Sequence, residues 1–115
     1  MLSQVDLDRI DQIDEIIELS VNPKIKGVFV FKHSTRCGTS RMALSQLKSH
    51  WDLDEDYPFL LLDLLNHRDI SNELADRFRV IHESPQLLYI SDGALKNHAS
   101  HWGIDIERVH KWLND

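Results

Sequence analysis

At 115 residues and 42% hydrophobic content, the chain is long enough for one domain with a single core and too apolar for a disordered segment. Its 13 basic residues against 19 acidic ones leave a net charge of −6, which argues against nucleic acid as a partner. No apolar run approaches the roughly 20 residues of a membrane span. Met1 to Asp6 lack a basic and apolar leader, and a lone cysteine excludes an intrachain disulfide. No membrane partner and a cytoplasmic, reducing location are the expectations.

In chain order, residues 6–19 read as an amphipathic helix, with Leu7, Ile10, Ile13 and Ile17 on one face and Asp8, Asp11, Glu15 and Glu18 on the other. Leu2 to Val5 carry only a weak signal for a short leading strand. Asn22-Pro23 ends the helix. Val28 to Lys32 is an apolar, β-favouring run and the first clear strand. A polar loop then delivers Cys37 to a second helix, residues 38–50, with Leu44, Leu47 and Trp51 on one face. The acidic stretch 52–56 reads as a solvated loop. Phe59-Leu60-Leu61-Leu62, bounded by Pro58 and Asp63, suits a strand buried on both faces and hence paired in parallel.

A third helix is expected over 69–78, with Ile70, Leu74 and Phe78 inward. Gln86 to Ser91 and Ala94 to Asn97 flank Asp92-Gly93, the strongest short hairpin signal. A last helix, 105–113, turns Ile106, Val109 and Leu113 inward. No boundary interrupts the pattern, so residues 1–115 are one domain. The order predicts an α/β fold: a four-stranded mixed sheet with helices on both faces and an extra N-terminal helix. Cys37 then lies beyond the carboxyl end of an interior parallel strand, where open α/β sheets place ligands.

A cysteine at a helix start faces backbone N–H groups that have no partner within the helix, and these favour the thiolate, which is the nucleophile. The dipole alone supplies only about 0.3–1 kcal/mol, so hydrogen bonds and nearby charge must add to it. Gly38, Thr39 and Ser40 are the candidates for stabilising the thiolate, and Arg36 is the nearest cation. Gly38 would let a ligand approach closely. The alternative is a small, inert, buried cysteine. Pro85 precedes the third expected strand, and its plain reading is a loop proline in trans.

Cys37-x-x-Ser40 at a helix start, with Ser84-Pro85 before a hairpin, resembles the thioredoxin-like fold. More closely, Phe31-Lys32-His33-Ser34-Thr35-Arg36-Cys37 with Ser40, then His82-Glu83-Ser84-Pro85-Gln86, resembles the YtxJ family of monothiol, bacilliredoxin-like proteins. The resemblance implies a thioredoxin-like sheet in the order 2-1-3-4, counting the four expected strands along the chain. It also implies Cys37 as the attacking thiol and Pro85 as the cis-proline of a substrate groove. The family usually has proline directly after the cysteine; this chain has Gly38.

The reaction this predicts is thiol–disulfide exchange by one cysteine, since Ser40 cannot resolve a disulfide. Cys37 would strip a low-molecular-weight thiol from client proteins carrying it. Ser40 would donate to the sulfur, and His33 or Arg36 would pair with carboxylates of the small thiol. Ser84 and Pro85 would hold the substrate backbone. Bacillithiol is the co-substrate the family suggests; glutathione and coenzyme A stay open. A thiol-regenerating reductase is the expected partner, with no tightly bound cofactor and no metal. One alternative is an iron–sulfur cluster carrier, because Cys37-Gly38-Thr39-Ser40 differs by one residue from the Cys-Gly-Phe-Ser motif of monothiol glutaredoxins. Others are a peroxidatic thiol and a non-catalytic binding module. Of the seven histidines, His98 and His101 are three apart without a third ligand nearby.

Overall fold

In the computed structural model, residues 3–114 are described. They form β1 (Gln4–Leu7), α1 (Gln12–Ser20), β2 (Val28–His33), α2 (Gly38–His50), β3 (Phe59–Asp63), α3 (Arg68–Phe78), β4 (Gln86–Ser91), β5 (Ala94–Ser100), a 3-10 turn at His101–Gly103 and α4 (Ile106–Asn114). The sheet has five strands in the order β1-β3-β2-β4-β5. β1 and β2 run parallel to β3, and β4 runs antiparallel to both β2 and β5. Among the described residues no helix is long and apolar enough to cross a membrane.

The alternation of β2 organises both faces of the sheet. Val28 and Val30 join Ile13, Ile16, Ile70, Leu74 and Leu88 on the side of α1 and α3. Phe29 and Phe31 point the other way, to Leu44, Leu47, Trp51, Leu87 and Val109 on the side of α2 and α4. This second layer is aromatic: Phe29 meets Trp51 edge-on at 5.1 Å and stacks on Tyr89 at 4.8 Å. All six β2 residues are buried, because the strand is central and covered on both sides. The β4–β5 turn follows its dipeptide: Asp92 and Gly93 both have positive φ, 53° and 78°, as a two-residue turn of the primed type requires.

The expected four-stranded sheet is corrected to five strands. Gln4–Leu7 adds at the edge, pairing in parallel with Phe59–Leu62, and the four anticipated strands keep their relative order. The N-terminal helix is correspondingly shorter than residues 6–19 and starts at Gln12. Only Leu7 of the strand is buried, so the edge has little of the alternation that marks a strand in sequence. The Gln12 side chain accepts the N–H groups of Asp8 and Arg9 at 2.7 and 2.8 Å, closing the turn between strand and helix. The buried helix face becomes Ile13, Ile16 and Ser20, and Ile10 is left exposed. Leu2, the first residue of the weak leading strand, lies outside the described residues.

Candidate active site

At the carboxyl end of β2 the alternation continues with polar residues in apolar positions. Lys32 turns to the α3 side and His33 to the α2 side, and each meets a buried serine of the helix there. Ser40 Oγ lies 2.7 Å from His33 Nδ1 and accepts the Ser34 N–H at 3.0 Å. Ser34 in turn accepts the Cys37 N–H at 3.1 Å, and the Arg41 guanidinium donates to the Thr35 carbonyl at 3.0 Å. These bonds hold the 34–37 loop against the first turn of α2 and set the position of Cys37.

Cys37 is the N-cap of α2, half-buried, with extended backbone (φ −101°, ψ 120°), and its carbonyl accepts the Arg41 N–H at 3.0 Å. Gly38 is exposed and begins the helix; Thr39 is half-buried. Thr39, Met42, Gln46 and the indole of Trp102 flank an open groove that starts at Gly38. Trp102 is 76% exposed, the second most exposed large apolar residue described, and nothing in its local sequence assigned it a place.

Pro85 lies at the same end of the sheet, just before β4. Lys32 pairs with Gln86, so continuing the antiparallel register sets Pro85 beside His33 and Ser84 beside Ser34. The Ser84–Pro85 bond is cis, and the Pro85 carbonyl accepts the His101 N–H at 3.0 Å, tying the Trp102 turn to this segment. Ser84 Oγ and Gln86 Oε1 are buried with no hydrogen-bond partner among the described residues, and both residues adjoin Pro85 in the chain.

The residues picked from sequence thus fall around one end of the sheet, but two have partners other than those expected. Ser40 bonds His33 and Ser34, not the sulfur, and His33 is buried and turned toward Ser40. Burial lowers the His33 pKa, against the pull of Asp63 and with the help of Lys48 and Arg41, so the ring is neutral near pH 7. Arg36 is exposed and is the cation of the loop that stays available. Among the described residues no group of three or more His, Cys, Asp or Glu could hold a metal ion.

Lys32, Ser71 and His82 were not singled out from sequence. Lys32 is fully buried; its Nζ lies 3.3 Å from His82 Nδ1 and 3.4 Å from the Ser71 carbonyl, to which it donates. Desolvation lowers its pKa to about 8. The signal was present in the period of two, which runs Val28, Val30, Lys32 and puts a charge in line with the core.

The architecture matches solved thioredoxin-fold proteins. A candidate oxidoreductase with a thioredoxin fold is 30% identical to the chain, covers 96% of it and 93% of itself, and superposes with a TM-score of 0.81. Thioredoxin from Malassezia sympodialis, at 16% identity over 99% of this chain and 90% of its own, has a TM-score of 0.73. Mitochondrial thioredoxin 3 from Saccharomyces cerevisiae, at 18% identity over 96% and 93%, has 0.71. These two share the fold. The profile of a family described as monothiol bacilliredoxin BrxC matches residues 5–109, spanning Cys37, Ser40 and Pro85. Family and fold together support a thiol oxidoreductase role, and the chain belongs to the monothiol bacilliredoxin BrxC family.

Proposed function

We propose that the protein is a monothiol disulfide oxidoreductase that removes a low-molecular-weight thiol from protein mixed disulfides through Cys37. The observation that carries this reading is a lone, half-buried cysteine capping α2 at the carboxyl end of the central strand, with a serine three residues on. The family name points to bacillithiol as the small thiol. A reducing cytoplasm fits such chemistry.

In the first step the Cys37 thiolate attacks the small-thiol sulfur of the mixed disulfide. A Cys37–small-thiol disulfide forms, the old S–S bond breaks, and the client leaves as a thiolate. A second small thiol, as its thiolate, or a reductase then attacks the small-thiol sulfur of that adduct and releases Cys37. With Ser40 at the resolving position, no intrachain disulfide competes with the second step. The groove between α2 and Trp102, which starts at Gly38, would give the client room, and Ser84 and Pro85, just before β4, would hold its backbone. Arg36, exposed on the loop, would meet an anionic substituent of the small thiol.

The test is transfer from a bacillithiolated client, followed by intact-mass spectrometry. Cys37→Ser should abolish transfer completely. Wild-type protein exposed in parallel to bacillithiol disulfide, glutathione disulfide and coenzyme A disulfide should gain the bacillithiol adduct fastest. Transfer retained by Cys37→Ser protein ends this reading.

A further inference from the structure

Lys32 is an ammonium buried in the sheet with no carboxylate within salt-bridge distance among the described residues. Its polar neighbours are the Ser71 carbonyl and His82 Nδ1. Ser71 Oγ, also buried, lies 3.1 Å from the same nitrogen. An ammonium can only donate, so His82 Nδ1 must accept, and the ring proton of the neutral imidazole is then on Nε2. That edge has no partner within the described chain, and His82 is exposed. Three residues later comes Pro85, beside the strand end that leads to Cys37. Arg68, at the start of α3, lies near enough that its charge opposes protonation of His82.

We propose that His82 is a specificity-determining residue of the Cys37 site, its outward Nε2–H receiving a carboxylate of the small thiol in the mixed disulfide. This rests on the exchange reaction proposed above. Lys32 and Ser71 are positioning residues: they fix the tautomer and the ring plane from behind. Arg68 supplies net positive charge beside the donor. The groups facing His82 are Lys32 from β2, Ser71 and Arg68 from α3, and Glu83 from its own loop; only Glu83 is an acid. Burial, then Lys32 and Arg68, lower the His82 pKa against Glu83, so the ring remains a neutral donor near pH 7. Above about pH 8 Lys32 loses its proton, and the constraint on Nδ1 with it.

The experiment compares two mixed disulfides of one cysteine peptide, with mercaptosuccinate, which carries two carboxylates, and with mercaptoethanol, which carries none. The readout is the ratio of their kcat/KM values at pH 7. His82→Phe should lower that ratio about tenfold, the weight of one hydrogen bond to a charged group. His82→Gln, whose amide can donate from a similar position, should recover most of it. Lys32→Met should lower the ratio and flatten its decline above pH 8, and nitrogen NMR should show His82 losing its Nε2–H preference. A ratio in His82→Phe equal to wild type overturns the assignment. Titration of Cys37→Ser protein with succinate, which has no sulfur, keeps the two proposals apart. Shifts at His82 and Arg68 support the anion site even if neither disulfide is exchanged by wild type, and shifts absent from both overturn it.

Discussion

The Ser40 hydroxyl joins two groups that would otherwise be stranded in the interior, the Ser34 N–H and the His33 ring. Its removal should therefore act on the whole loop that carries Cys37. Ser40→Ala is expected to destabilise the fold by about 1–3 kcal/mol, the cost of leaving buried polar groups unpaired, and to slow exchange as the 34–37 loop loosens. Urea unfolding measures the first effect and alkylation of Cys37 at pH 7 the second. Slower alkylation with unchanged stability would instead mean that the serine acts on the sulfur alone. The pairing of His33 with α2 and Lys32 with α3 also explains why two adjacent polar residues are tolerated at the end of a fully buried strand. Each has a serine and a helix on its own side.

At the scale of elements, α2 begins where a proline would fit. Cys37 is extended, as the residue before proline prefers, and Gly38 is the first helical position, whose N–H has no intrahelical partner. A Cβ on Gly38 would meet only the end of the Arg41 side chain, at 3.8 Å, and the residue does not have the positive φ that demands glycine. Gly38→Pro is expected to stabilise the protein by about 0.4–1 kcal/mol through the unfolded chain, raising Tm by roughly 2–6 °C. A lower Tm in calorimetry would show that the Gly38 N–H has a partner worth more than the entropy saved. β1 illustrates the opposite case. It is a strand because β3 offers it an open edge, and its own residues, three of four exposed, would not pair without that template.

For the molecule as a whole, burying Lys32 makes stability depend on pH. In the folded chain it releases its proton near pH 8, against 10.5 for the ordinary side chain. Between those values the unfolded chain binds more protons, so stability rises with pH. From pH 8 to 9.5 the gain is about 1–2 kcal/mol, and below pH 8 the cost of burying the charge is constant. Urea midpoints should climb over this range in wild type and stay flat in Lys32→Met protein. Equal slopes in the two would mean that Lys32 reaches water when charged.

The strands at Val28–His33 and Phe59–Asp63, the hairpin around Asp92-Gly93 and the start of α2 at Gly38 were legible in the sequence, because each is written in local periodicity or turn chemistry. So was the placement of Cys37 beyond the end of a central parallel strand, which follows from the order of the elements. The leading strand had only a weak local signal, at Leu2 to Val5, and tertiary structure decided that Gln4–Leu7 pairs as the fifth strand, as it alone decided the partners of Ser40 and the Lys32–Ser71–His82 cluster. The last joins residues 39 and 50 positions apart in the chain. A buried polar group takes whichever partner the packed helices and strands bring to it, and no spacing along one element specifies that choice.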